Sequence, residues 1–162
     1  MTELSELSNA TGDANKPRSA QLLTFMLDQQ EYGVDILRVQ EIRGWSAPMP
    51  IPGAPAYIKG VINIRGDVVP IADLRQRLGM PAQEYGPTTA VVVLRVQYTN
   101  RERVMGVIVD AMSDVTTVPG EALRPPPVFH DSTETLAKEI AALEDKMITI
   151  LDVDRVFGDH AL

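Results

Sequence analysis

The sequence predicts a mainly β protein of the barrel or sandwich kind. Three observations carry that expectation: short apolar stretches that alternate with a period of two, turn residues at frequent intervals, and helical patterns that stay short. A parallel α/β sheet would need longer helices between its strands.

Residues 1–19 are rich in Ser, Asn, Thr, Asp and Glu and include Gly12 and Pro17, a composition expected to form a flexible polar tail. The folded unit is expected over residues 20–158, with residues 159–162 frayed. From Ala20, Leu23, Phe25 and Leu27 alternate with Thr24 and Met26. Asp28-Gln29-Gln30 then reads as a turn, and Tyr32, Val34 and Ile36 resume the alternation, so Leu22 to Ile36 is expected as a hairpin. Ile36, Val39, Gln40 and Ile42 fall at helical spacing, with Asp35 as N-cap and Gly44 after the end, which predicts a short amphipathic helix. Pro48, Pro50, Pro52 and Pro55 make the next stretch a stiff, extended surface connection.

Ile58 to Ile64 and Val68 to Ala72 read as strands joined by the tight turn Arg65-Gly66-Asp67. Asp73 to Leu78 is expected to form one or two helical turns, stopped by Gly79 and Met80-Pro81. Ala90 to Val96 and Val104 to Val109 are β-branched runs on either side of Thr99-Asn100-Arg101, a further hairpin whose strands are buried on both faces. Pro125-Pro126-Pro127 closes the region. In Thr135 to Asp145, Leu136, Ile140 and Leu143 share a helical face, so local propensity alone favours a helix. Met147 to Val153 is strand-like, and Asp154 to Phe157 begins a short helix before Gly158.

Composition narrows the chemistry. The 162 residues suit one domain-sized unit, and 44% hydrophobic with 23% charged residues is ordinary globular usage. No apolar run reaches the roughly 18 residues of a spanning helix, and residues 1–18 contain no signal-peptide block, so the expected location is cytoplasmic. The absence of cysteine removes disulfides, thiolate catalysis and thiolate metal sites together. A net charge of -7 disfavours nucleic acid and anionic lipid in the absence of a local basic patch, and aromatic residues at 5% are too few for obvious base-stacking platforms.

Catalytic motifs are missing. There is no G-x-S-x-G elbow, and the two histidines lie near the C-terminus, His160, and after the triple proline, His130, where a solvated side chain is expected. No H-E-x-x-H or EF-hand spacing is present. Asp152 and Asp154 could share a strand face toward a cation, but a solvated strand end explains them more simply. Gly60 and Gly66 bracket a strand instead of opening a helix, which excludes a phosphate loop. An acid–base enzyme would need paired carboxylates in a concave pocket. Asn63 and Arg65 share a face with Val61 along Val61 to Arg65, while Ile62 and Ile64 point the other way. An ordinary half-exposed strand end and a partner-binding face both fit this pattern.

Four stretches resemble the CheW family in order and spacing: Tyr32-Gly33-Val34-Asp35-Ile36; Val39-Gln40-Glu41-Ile42-Arg43-Gly44; Tyr57-Ile58-Lys59-Gly60-Val61-Ile62-Asn63-Ile64-Arg65-Gly66; and Pro70-Ile71-Ala72-Asp73-Leu74-Arg75. Val107-Ile108-Val109-Asp110 with Ser113-Asp114-Val115 extends the resemblance, which covers roughly Leu22 to Phe157. It implies two small five-stranded SH3-like β-barrels packed together with a few short helices, no enzymatic activity and no cofactor or metal. It also implies a stand-alone adaptor. The implied partners are the CheW-like regulatory domain of the histidine kinase CheA and the cytoplasmic tip of methyl-accepting chemotaxis proteins in membrane-bound receptor arrays, with no nucleic acid and no direct membrane insertion. An adaptor of another chemosensory system, such as surface or twitching motility, is the alternative.

Carried over by position, the family's partner-binding surface falls on Val39, Glu41, Gly60 and Arg65, with Asn63 as a neighbour. Glu41 and Arg65 are candidates for an ion pair, and an exposed pair adds little to folding. The chain departs from the family at Lys138-Glu139-Ile140-Ala141-Ala142, where members show a glycine-containing strand. A strand turning at Glu144-Asp145 is expected there, because tertiary pairing overrides propensity.

Overall fold

The computed structural model describes residues 19–127 and 136–158. Most of the 1–19 tail, the 159–162 end, His130 and His160 lie outside the described residues.

The first hairpin forms as its alternation requires. β1 (Ala20–Leu27) pairs antiparallel with β2 (Gln30–Asp35), joined through Asp28 and Gln29, which both take positive φ, 52° and 66°. Positive φ at both central positions gives the turn the twist that matches the strands it joins.

The expected helix over 36–44 is not there. Asp35 accepts a hydrogen bond from the Leu37 amide at 2.9 Å, as an N-cap would, but the helix stops after the single 3-10 turn Ile36–Arg38. The chain continues as β3 (Val39–Gly44), pairing with β6 (Ala90–Gln97) along Ala90 to Leu94. Val39 and Ile42 suit an extended ladder, and β6 offers one, so tertiary pairing overrides the helical spacing.

β4 (Ile58–Ile64) and β5 (Asp67–Asp73) form the second hairpin. The turn is shorter than expected: Ile64 pairs with Asp67, leaving Arg65 and Gly66 at φ 52° and 91° as its centre. Asp73 caps α1 (Leu74–Arg77) by accepting from the Gln76 amide at 3.3 Å. β6 pairs with β7 (Glu102–Val109) over its whole length.

β8 (Ala111–Val118) was not legible as a strand, because Ser113, Asp114, Thr116 and Thr117 break the apolar alternation. It pairs with β1 across a bulge, where buried Thr24 exchanges hydrogen bonds with the Asp114 backbone at 3.0 and 3.2 Å. The two-residue β9 (Leu123–Arg124) follows, then β10 (Ala137–Ala142) and β11 (Met147–Leu151). The structure thus makes 137–142 a strand against its helical propensity, with ladders to β9 and β11 on its two sides. α2 (Val153–Phe157) ends the described chain. Asp152 is its N-cap, accepting from the Arg155 amide at 3.2 Å, so Asp152 and Asp154 are not neighbours on a strand face.

The strands make two sheets, ordered β8-β1-β2-β11-β10-β9 and β3-β6-β7-β5-β4. The second is one continuous run of chain inserted between β2 and β8 of the first. Each encloses its own apolar interior: Leu22, Val118, Ala141, Ile148 and Ile150 in the first, Ile64, Val69, Ile71, Val91, Val93 and Ile108 in the second. Both edges of the first sheet contribute to its interior, the arrangement of a barrel-type body. Between the bodies lies the largest core, which takes the opposite faces of the same strands: Leu23, Phe25 and Leu27 of β1, Val92, Leu94 and Val96 of β6, Val107 and Val109 of β7. β6 and β7 are therefore apolar on both faces, one face turned into their barrel and the other onto its neighbour. This is the expected architecture of two packed SH3-like barrel-type bodies with few short helices; counting the two-residue β9, the first has six strands.

Candidate functional site

β3 and β4 are the two edges of the second sheet, and the candidate residues sit where those edges face each other. Glu41 projects from β3, and its carboxylate pairs with the guanidinium of Arg65 in the β4–β5 turn. The pair spans the seam of the barrel. Arg43, two residues along β3 and on the same side, binds the second Glu41 oxygen at 3.0 Å. These two guanidinium groups, Arg65 first, hold the Glu41 carboxyl below the usual carboxylate range.

The exposures of the pair are unequal: the Arg65 side chain is 69% exposed and that of Glu41 21%. Arg65 thus offers free donor edges to solvent while Glu41 anchors its other edge. Arg65 sits in the turn after β4, not on the strand face that the alternation assigned to it, and holds the left-handed region at φ 52°. Asn63 explains how: its Oδ1 accepts from the Gly66 amide at 2.8 Å and locks the turn from which Arg65 projects. Asn63 is exposed, so its side chain both shapes the turn and faces solvent.

Gly60 has a different place. It is buried at φ 145°, and a Cβ there would lie 2.1 Å from the Met49 carbonyl oxygen. Met49 and Val61 exchange two backbone hydrogen bonds of 2.9 Å each, so the proline-rich connection lies directly on the β4 edge. Gly60 permits that close approach and offers no side chain of its own. It also protects an edge strand that would otherwise expose unpaired backbone groups. Val39 is half-buried and packs against the core between the barrels, so it too backs the surface more than it forms it.

Beside Arg65 lies a cleft of about 380 Å³ whose walls include Gln40, Val68, Pro70, Arg103 and Val104. Val68 is 70% exposed and gives the cleft an apolar rim, while Arg65, Arg103 and Asp67 line it with charge of both signs. Sequence reading missed Arg43, Val68 and Arg103. The helical expectation for 36–44 hid Arg43, since only in a strand do Glu41 and Arg43 share a face. Nothing local marks Val68 or Arg103, which come together through the β5–β7 pairing.

A larger cavity of about 780 Å³ opens on the first barrel near Asp35, Arg38, Lys138 and Asp154 and contains none of the expected residues. Among the described residues no group of three or more His, Asp or Glu is placed to hold a metal ion, and no helix is long and apolar enough to cross a membrane.

Comparison with known proteins gives the same picture. The family model for the CheW-like domain matches residues 21–161. The chain is 43% identical over 138 residues to a chemotaxis protein CheW of Rhizobium meliloti, covering 85% of this chain and 86% of the relative. It is 38% identical over 146 residues to a chemotaxis protein CheW of Klebsiella aerogenes, covering 88% and 84%. The crystal structure of the scaffolding protein TtCheW from Thermoanaerobacter tengcongensis superposes with a TM-score of 0.75 at 28% identity, covering 87% of this chain and 92% of that one. With the paired barrel-type bodies and a family match along nearly all of the described chain, this protein belongs to the CheW-like domain family.

Proposed function

We propose that this protein is a non-enzymatic adaptor of chemotaxis signalling that couples methyl-accepting chemoreceptors to the histidine kinase CheA. It acts in the cytoplasm, held at membrane-bound receptor arrays through its partners, without a cofactor or metal. The seam of the second barrel, with Glu41, Arg65, Asn63 and the turn they share, is the partner-binding surface, and Val39 and Gly60 hold it in shape.

One observation carries the reading: an exposed guanidinium, anchored by a carboxylate across a barrel seam, stands beside a cleft of mixed polar and apolar lining. A cleft that combines an exposed apolar side chain such as Val68 with oriented donors suits a complementary protein surface, and a fixed arginine fork supplies orientation. The named relatives are chemotaxis and scaffolding proteins, which supports the same assignment.

The test is co-sedimentation of the purified protein with receptor fragments and CheA, reading both binding and kinase activity. Arg65→Ala is expected to melt within a degree or two of the parent, because an exposed pair contributes little to folding, and to lose at least tenfold in affinity for one partner or both. Unchanged binding of both partners by the folded variant would remove Arg65 from the site. Failure of the parent to join any receptor–kinase assembly would refute the adaptor reading itself.

A further inference from the structure

We propose that Arg75 is the positioning residue that fixes the angle between the two barrels. Its side chain is 9% exposed and reaches from α1, in the second barrel, to the place where the chain crosses back from β7 to β8. There it grips Asp110: Nε donates to Oδ1 at 2.8 Å and to Oδ2 at 3.1 Å, and Nη2 donates to Oδ2 at 2.8 Å. Nη1 donates to the Pro81 carbonyl at 3.0 Å, and Nη2 lies 3.5 Å from the carboxylate of Asp28 in the β1–β2 turn of the first barrel.

Asp110 is held from the other side as well. Its carboxylate accepts from the Asp28 amide at 2.8 Å, its amide donates to the Met26 carbonyl at 3.1 Å, and its carbonyl accepts from the Thr88 hydroxyl at 2.9 Å. One guanidinium thus ties together the β1–β2 turn of one body, the helix and loop of the other, and the covalent crossing between them.

The geometry matters because the rest of the junction is not directional in the same way. The shared core of Phe25, Leu27, Val92, Leu94 and Val107 is apolar, and packed apolar faces permit small sliding adjustments. A fork bound through two nitrogens to one carboxylate accepts a narrow range of orientations. Other polar contacts cross singly: Arg77 Nε donates to the Val156 carbonyl at 2.8 Å and the Gln97 amide donates to Asp154 at 2.7 Å, while Arg38 pairs with Asp154 at solvent-accessible side chains; none of them grips one carboxylate through two nitrogens, so each constrains orientation less. Arg75 therefore holds the first barrel at a defined angle to the partner-binding seam of the second, a claim about shape that stands apart from the adaptor reading.

The chain has no cysteine, so paired spin labels can be placed cleanly. Thr117→Cys on β8 and Glu102→Cys on β7 put one label at an exposed position of each barrel. Double electron–electron resonance on the full chain is expected to give one narrow distance distribution. Adding Arg75→Gln is expected to broaden it at least twofold or displace it by more than its own width, with the circular dichroism of the fold retained. Arg75→Lys keeps the charge and loses the fork, so it is expected to broaden the distribution too, and it carries the test if the glutamine variant does not fold. Ile148→Ala, a cavity inside the first barrel, is the control for general loosening and is expected to leave the width unchanged. A folded Arg75 variant whose distribution superposes on the parent's, or equal broadening in the Ile148 control, overturns the proposal.

Discussion

Replacing Gly60 by alanine places a methyl group where the structure already holds the Met49 carbonyl, 2.1 Å from its oxygen and 2.6 Å from its carbon. Both neighbours are backbone, so no side chain can turn aside. The connection carrying Met49 must move off β4, and the two hydrogen bonds between Met49 and Val61 go with it. Two backbone hydrogen bonds at about 1 kcal/mol each, with about 1 kcal/mol or more for a side chain held at this positive φ, give a loss of about 3 kcal/mol. For a domain of this size that lowers Tm by roughly 6–12 °C. Thermal unfolding with circular dichroism measures it, and partner binding by the same sample, assayed below its Tm, is expected to fall as well. The contrast with Arg65→Ala is the point of the experiment: one variant loses binding with stability, the other loses binding alone. A Gly60→Ala protein that melts with the parent would refute the argument that Gly60 serves by letting the backbone approach.

Two further outcomes follow from the packing and the charges. Phe25 is buried in the core between the barrels, so Phe25→Ala is expected to lose about 3–5 kcal/mol in urea denaturation while unfolding in a single transition, because the bodies share that core; two separated transitions would show that each barrel stands alone. Burial pushes the Glu31 carboxyl up, but hydrogen bonds from Lys146, Thr24 and Ser113 more than reverse this, leaving its pKa below the ordinary 4.5. A depressed folded pKa contributes stability that is complete above the unfolded value and lost as pH falls through the folded one. Glu31→Gln is therefore expected to flatten the decline of stability below about pH 4.5, read from urea midpoints between pH 3 and 6; a parallel decline in both proteins would sink the assignment.

Much of this was legible in the chain itself. The two-residue alternation, the proline-rich connection, the short helical stretch ending before Gly79 and the hairpins at 22–36, 58–72 and 90–109 are local patterns, and local patterns are what a sequence displays directly. Asp35 misled for an instructive reason: it does cap a turn, but capping fixes only where a helix starts, and the open edge of β6 decided what came next. The same competition had the same outcome at 137–142, but there strand was expected despite helical residues, because the family resemblance implies a strand and tertiary pairing overrides propensity.

For the candidate site, the motif residues themselves were readable, but their division of labour was not. Glu41 and Arg65 are far apart in the chain and meet only because the second sheet curls until its edges face each other. Gly60 and Asn63 look like surface residues in a motif, yet one admits a neighbouring backbone and the other ties a turn. By itself the sequence determined the main hairpins, the proline-rich connection and the class of protein, since each depends on residues close together in the chain. Only the tertiary structure decided which apolar face enters a barrel and which joins the two barrels, and which charged groups meet, because those outcomes depend on strand partners brought in from distant positions.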